Sequence, residues 1–433
     1  MRQLVLGKLA LKYLWRYKRR YIFLCIALGF GFVVLTVVGS LKDSMKENLY
    51  RSAQSHYTGD LIAIGNLPGD FSQLTKTEQD AIFASAEITG LDPVSTVIRT
   101  IVYGRAKGAI YFNGNSVALK YVTGVDWEKE KAYFERLSYI EAPSAFDDTS
   151  ILLSQPIAGE LGLRQGDSVT LEVKTVTGQK NTGTFIVAGI VEDSNFFSYY
   201  KIYVSRLSLN RLIGFAGEDC SQIGFFLKDR KSIESKRELL YNDLKTRVQT
   251  GPLVNDRESF SREKDNHENT AVFLITLAVY LSEVDQLMDA IDLASYVLFA
   301  MMLVIIMVSA AVTCRLILHE RTRETGTMRA IGFYEGDMRL VLHLEILTMA
   351  LFSMAAGFLL ALLINRFLSA SSFGWFPGFE VFMQNGRLAA RYLPGTIVVN
   401  ILATGCAVAL AVGGSIFRYS RTPLPEMLGG GVR

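Results

Sequence analysis

Four long apolar segments dominate the pattern of hydrophobic and polar positions along the chain. Segments 21–41, 293–314 and 393–417 contain no Asp, Glu, Lys or Arg, and segment 340–365 contains only Glu345 among these residue types. A helix rises 1.5 Å per residue, so about 20 apolar residues cross a hydrocarbon core of about 30 Å. The pattern therefore predicts four transmembrane helices, one before and three after a long polar region.

The polar region, residues 42–292, alternates between strand and helix patterns. Short β-branched segments bounded by turn residues predict strands at 59–64, 97–103, 109–112, 168–173 and 184–191, and helical spacing occurs at 75–86, 155–161 and 229–250. We expect an α+β domain that is large enough to bury its own core. Stalk helices at both of its ends would connect it to the first and second spans.

The apolar run at 271–281 leaves the number of spans open. Its eleven residues would extend about 16 Å as a helix, which is too short to cross the hydrocarbon core. We interpret the run as the start of the second stalk helix. The alternative is a fifth span, which would move segment 315–339 to the other side of the membrane.

Basic residues are concentrated in three segments. Residues 1–20 contain seven Lys and Arg and no acid, residues 315–339 contain five, and residues 418–433 contain three. Lys and Arg accumulate in cytoplasmic loops, so we expect these three segments in the cytoplasm and residues 42–292 and 366–392 outside it. Residues 42–292 agree with this, since 27 Lys and Arg against 35 Asp and Glu give them a net charge of −8.

The first basic segment also has helical spacing. Lys8, Lys12, Arg16 and Arg20 recur every four residues, which predicts an amphipathic helix along the inner interface. A simple basic flank before the first span is the alternative. The chain is 50% hydrophobic and 20% charged, below the roughly 25% charged residues of soluble domains. Because no basic patch carries interleaved aromatic residues, nucleic-acid binding is not expected.

Segment 315–339 contains the most distinctive motif, Glu-Arg-Thr-Arg-Glu-Thr-Gly-Thr-Met-Arg-Ala-Ile-Gly at 320–332. It is similar to the pattern R-x-R-E-x-G-x-x-R-A-x-G of the MacB/LolC/LolE/FtsX-like permeases of ABC transporters. Residues 151–171 resemble the pattern L-S-x-x-x-A-x-x-L-G-L-x-x-G-D in the outer domain of the same family. The one-plus-three order of spans extends the resemblance over nearly the whole chain.

The resemblance implies that segment 315–339 is a coupling helix, which receives the motion of a separate cytosolic ABC ATPase. The residues assigned to this contact are Arg321, Arg323, Glu324, Gly326, Met328, Arg329, Ala330 and Gly332. From the residues alone, we expect a rigid mixed-charge helix bounded by Gly326 and Gly332. The alternative is a solvated turn with i,i+4 charge pairs.

The family also implies partners and a location. We expect a second permease copy or paralogue, a lipoprotein or other lipophilic substrate, a possible periplasmic partner, and the bacterial cytoplasmic (inner) membrane with both termini cytoplasmic. ATP and Mg would be bound by the partner ATPase and no cofactor by this chain, which is not expected to be an enzyme. An FtsX-like transmitter that activates a cell-wall hydrolase and a MacB-like efflux component are the alternatives.

Glu345 lies five residues inside the third predicted span. Ionisable residues at such depth are costly and usually face a partner or water. Arg315 and the N-terminal helix offer candidate partners. We interpret Glu345 as a contact between helices, with a substrate or proton role as the alternative.

Two further patterns bear on function. The aromatic residues Phe196, Phe197, Tyr199 and Tyr200 could form an exposed loop that contacts a greasy substrate or a partner, although a buried strand is the more common origin of such a run. Residues 178–184 have the glycine spacing of a phosphate-binding loop but lack the lysine after the second glycine. We expect a hairpin turn there and no ATP binding.

Overall fold

The computed structural model describes residues 18–67, 71–91, 95–103, 108–192, 201–266, 271–332, 334–371, 387 and 392–420. The chain divides into two compact units. The helical unit comprises Met1–Met45, Asp289–Ser372 and Leu388–Arg433, and the sheet unit comprises Lys46–Met288 and Phe373–Arg387. Three segments lie mostly outside the described residues. They are the N-terminal basic segment, the 366–392 connection and the C-terminal tail.

The helices are numbered in chain order. They are α1 (Lys18–His56), α2 (Lys76–Ile88), α3 (Lys131–Phe134), α4 (Gln155–Leu161), α5 (Arg206–Ile213), α6 (Ile233–Leu244), α7 (Arg257–Asn266), α8 (Leu277–Glu320), α9 (Thr322–Ala330), α10 (Glu335–Ala370) and α11 (Pro394–Ser420). A short 3₁₀ turn, Arg230–Ser232, precedes α6. Within the described part of the chain, α1, α8, α10 and α11 are long and apolar enough to cross a membrane. The predicted class, four spans with an α+β region between the first and the second, is confirmed.

The helical unit has a continuous apolar core. Between Leu24 and Leu35, every third or fourth residue of α1 is buried in it. A Cβ atom added at Gly357 of α10 would lie 2.7 Å from the carbonyl oxygen of Gly29 in α1. The absence of side chains at these two glycines therefore allows α1 and α10 to approach closely, as small residues do in membrane helices.

The strands of the sheet unit are also numbered in chain order. They are β1 (Leu61–Gly65), β2 (Thr96–Tyr103), β3 (Ala109–Phe112), β4 (Asn115–Ala118), β5 (Tyr121–Val125), β6 (Tyr139–Glu141), β7 (Ser150–Ser154), β8 (Ser168–Lys174), β9 (Lys180–Val191), β10 (Ile202–Ser205), β11 (Gln222–Phe225) and β12 (Val272–Thr276). They form one mixed sheet in the order β12-β1-β11-β2-β5-β10-β7-β9-β8-β3-β4, with β6 paired to β9. The pairs β5–β10 and β7–β9 are parallel.

Alternation along the strands builds separate cores in the sheet unit. On β8, Val169, Leu171 and Val173 are buried while their neighbours are exposed or half-buried. They join the core that packs against α4 and α5. A second core packs β1, β11 and β12 against α2 and α6. The predicted hairpin at 178–184 is confirmed, because β8 and β9 are antiparallel and Lys174 faces Lys180 across the turn.

The helical interpretation of the run at 271–281 is wrong for its first part. Residues Val272–Thr276 form β12, which pairs antiparallel with β1, and α8 begins only at Leu277. All five residues of β12 are buried. A short, fully apolar run has no polar face, so its spacing cannot distinguish a buried strand from a buried helix.

Candidate functional site

The connection between the second and third spans is mostly helical. Helix α8 continues to Glu320, α9 follows from Thr322 to Ala330, and α10 begins at Glu335. Arg321 separates α8 from α9 with φ −97° and ψ 9°. The expectation of a helix bounded by Gly326 and Gly332 is wrong at its start, because Gly326 lies inside α9.

Arg321 and Glu345 form a buried ion pair. The Nη1 atom of Arg321 donates to Oε2 of Glu345 at 2.9 Å, and its Nη2 atom donates to Oε1 at 3.0 Å. Glu345 is fully buried and Arg321 is 5% exposed. This two-point contact joins the start of α9 to the body of α10 in a geometry that fixes the guanidinium plane.

Arg321, and not Arg315, is therefore the partner of Glu345. Arg315 is exposed on α8. The spacing of buried residues on α8 identifies Arg321. Cys314 and Ile317 are buried three residues apart, and the next interval of four residues reaches position 321. Glu345 is thus a contact between helices, as interpreted, and the same pair removes Arg321 from the surface that a partner could touch.

The remaining predicted contact residues lie on two faces of α9. Arg323, Glu324 and Ala330 are exposed, whereas Gly326 is buried. Met328 is half-buried. The exposed face is therefore short and carries charges of both signs.

The turn after α9 presents two apolar side chains that the sequence reasoning missed. Ile331 is 88% exposed and Tyr334 is 71% exposed. Gly332, between them, has φ +95°, a conformation that L-residues rarely adopt. Their signal in the sequence is an apolar pair flanking a glycine that closes a helix.

A second set of charges holds this turn in place. The guanidinium groups of Arg329 and Arg339 both donate to the carboxylate of Glu335, the latter at 3.4 Å. The Arg339 guanidinium also lies 5.4 Å from the ring centroid of Phe417 in α11. Arg329 is 16% exposed, so most of it faces the protein. We define the exposed residues Arg323, Glu324, Thr327, Ala330, Ile331 and Tyr334 as the α9 knob.

In the sheet unit, Asp60 joins the ends of two long helices. Its carboxylate is buried and accepts hydrogen bonds from Tyr50 at 2.6 Å and Gln54 at 2.7 Å, both on α1. Its carbonyl oxygen accepts from the backbone N–H of Leu277 at 2.9 Å, the first residue of α8. One residue thus holds the end of α1 and the start of α8.

Arg99 makes a second connection to α1. Its Nη1 atom donates to the carbonyl oxygen of Ser55 at 2.6 Å, and its Nη2 atom donates to Glu130 at 2.6 Å. Burial alone would lower the pKa of Arg99, but the neighbouring Glu130 carboxylate raises it above its ordinary value, so the guanidinium stays charged. A cation at the last turn of α1 also opposes the negative end of the helix dipole.

The predicted outer-domain contact residues Phe196, Phe197, Tyr199 and Tyr200 lie outside the described residues. The next aromatic residue along the chain, Tyr203, is buried on β10.

The C-terminal part of the chain matches a known protein family. Residues 296–424 match the FtsX-like permease C-terminal family. The match begins inside α8 and includes α9, the Arg321–Glu345 pair, α10 and α11. No curated protein matches the chain. Residues 296–424, and with them the Arg321–Glu345 pair, are thus similar to an FtsX-like permease C-terminal domain.

Proposed function

We propose that this chain is the permease subunit of an ABC transporter and that the α9 knob is its contact with a separate cytosolic ATPase. The observation that carries the proposal is the contrast between the two sides of α9. One side is fixed to α10 by the buried Arg321–Glu345 pair, and the other is exposed. A short helix that is fixed rigidly on one side transmits its displacement to the helices that hold it.

The surface of the α9 knob suits a protein partner. Arg323 and Glu324 supply charges of opposite sign, which favour a defined orientation in the complex. Ile331 and Tyr334 supply apolar side chains, and aromatic residues are enriched in the centres of protein interfaces. ATP and Mg would be bound by the partner ATPase.

Basic residues support a cytoplasmic position for this connection and for both termini, in a bacterial inner membrane. The sheet unit, with the acidic balance of residues 42–292, would then be extracytoplasmic. Helices α1 and α8 run without interruption and contribute residues to both units. They offer a covalent route by which ATP-driven motion at α9 reaches the sheet unit, and Asp60 ties the ends of this route together.

We infer that the moved substrate is a lipoprotein or another lipophilic molecule and that a second permease completes the membrane assembly. The second point is supported by the span on α8, of which only 17% is buried within the chain. An FtsX-like transmitter of a signal to a cell-wall hydrolase and a MacB-like efflux component use the same α9 knob. They differ in what the sheet unit binds.

The test is charge reversal on the knob. The variant Arg323→Glu with Glu324→Arg should lose the ATPase during purification from native membranes, or lose its stimulation. The matched control reverses the exposed pair Glu258 and Arg262 on α7, which is also an acid and an arginine on a helix surface. That control should retain the ATPase.

The outcome also separates the alternatives. A retained and normally stimulated ATPase in the knob variant contradicts the coupling assignment. In the unmodified chain, a co-purified lipoprotein supports transport, whereas a co-purified cell-wall hydrolase supports signalling. A chain purified from native membranes with no ATPase at all would contradict every version of the proposal.

A further inference from the structure

A groove lies in the helical unit between α1, α8 and α11. Its volume is about 370 Å³, within the range of ligand-binding pockets. Along α1 it extends from Val34 to Lys42, which corresponds to about 12 Å of helix. All three walls belong to helices that are candidate membrane spans, so most of the groove would lie within the membrane.

The two ends of the groove differ in polarity. Most of its length is lined by apolar side chains such as Val38, Phe299 and Val399. The Lys42 ammonium marks the other end, where it lies 3.4 Å from the carboxylate of Asp292 and 5.2 Å from the ring centroid of Tyr296. A site that is apolar along its length and charged at one end matches an amphiphile.

The charges at this end are of both signs. Beside Lys42 and Asp292, the carboxylate of Asp43 accepts a hydrogen bond from Thr396, which lines the groove, at 2.8 Å. One cation lines the groove, and two carboxylates contact residues that line it. A purely anionic headgroup would meet two carboxylates, whereas a zwitterionic one can place its phosphate at Lys42 and its ammonium at an aspartate.

We propose that this groove binds a zwitterionic phospholipid of the membrane, with one acyl chain between α1, α8 and α11 and the headgroup at Lys42 and Asp292. The site is independent of the α9 knob and of the ATPase. It does not require that the chain transports anything.

The experiment measures lipid that remains bound to the full chain after transfer from nanodiscs to detergent, by native mass spectrometry. The probes are nanodiscs of phosphatidylethanolamine, of phosphatidylglycerol, or of the former with added triacylated lipopeptide. The unmodified chain should retain phosphatidylethanolamine at least tenfold more than phosphatidylglycerol.

Two variants on α11 provide a matched comparison. Val399 lines the groove and Val398 does not, yet both side chains are more than half exposed, at 56% and 52%. Val399→Trp should reduce the retained lipid about tenfold, and Val398→Trp should leave it unchanged. Asp292→Asn together with Asp43→Asn should remove the preference between the two phospholipids.

Three results would overturn the proposal. The first is equal retention by Val398→Trp and Val399→Trp. The second is displacement of the phospholipid by the lipopeptide, which would assign the groove to cargo. The third is a cross-linked dimer through α11 that Val399→Trp alone disrupts, which would assign it to a second copy. The lipid measurement on the unmodified chain does not depend on how well a variant folds.

Discussion

Removing either partner of the Arg321–Glu345 pair should destabilise the helical unit strongly, whereas removing both should not. Two hydrogen bonds of 2.9 and 3.0 Å join the groups. At this separation and an effective dielectric constant of about 20, the attraction is about 5 kcal/mol. Loss of one partner leaves the other charge buried, at a cost of about 3–5 kcal/mol.

The three variants to compare are Arg321→Met, Glu345→Leu and the double variant Arg321→Met with Glu345→Leu. Each single change should lower the free energy of unfolding by about 3–5 kcal/mol, and the double variant should lie within about 1–2 kcal/mol of the unmodified chain, because apolar pairs replace buried ion pairs at little cost. Denaturant titration in detergent measures these differences as a double-mutant cycle.

Arg323→Met is the matched control, since Arg323 is exposed two residues away, and it should change stability by less than about 0.5 kcal/mol. If Arg321→Met and Arg323→Met cost the same, the pair does not anchor α9. If the double variant is as unstable as the single ones, the contribution comes from packing of the long side chains and not from charge pairing.

Three further outcomes follow from the structure. Gly332→Ala should lower the free energy of unfolding by about 1 kcal/mol because Gly332 has a positive φ. Gly414→Ala in α11, where an added Cβ meets no atom within 4 Å, should leave that free energy unchanged or raise it. Unfolding titrations compare the two variants. Arg99→Met should destabilise the sheet unit by about 3–5 kcal/mol, and Glu130→Leu added to it should recover most of the loss. Burial raises the pKa of Cys220 to about 12, so its thiol should resist alkylation at pH 8 until the unit unfolds. The contribution of the buried thiol to stability is constant below about pH 9 and declines as the pH rises towards 12. Unfolding titrations at pH 8 and pH 10.5 measure this decline. Rapid alkylation of the folded chain would contradict the burial of Cys220.

The spans and most strands were predictable because local patterns determine them. The charge-free apolar segments and the alternation in β8 are visible in the sequence without knowledge of any distant contact. The element predicted wrongly, β12, is a strand with both faces buried. Its partner β1 lies more than two hundred residues away along the chain. Pairing of that kind leaves no periodic signal.

The motif at 320–332 lies on and next to α9, but the sequence does not sort its residues by role. Arg321 and Arg323 look equivalent in the sequence, yet one is buried in an ion pair and the other is exposed. That difference depends on the direction in which α8 ends, and α8 extends six residues beyond the apolar segment that predicts its span. The exposure of Ile331 and Tyr334 likewise depends on the backbone turn that Gly332 permits.

Photo-cross-linking from the α9 knob tests the central claim most directly. A photoreactive amino acid at Thr327, an exposed position on α9, should attach the chain to an ABC ATPase in native membranes. The same group at Ile186, an exposed position on β9, should not. An adduct between Thr327 and an extracytoplasmic protein, or ATPase adducts from Ile186 and none from Thr327, would contradict the coupling role of α9 and the orientation of the chain.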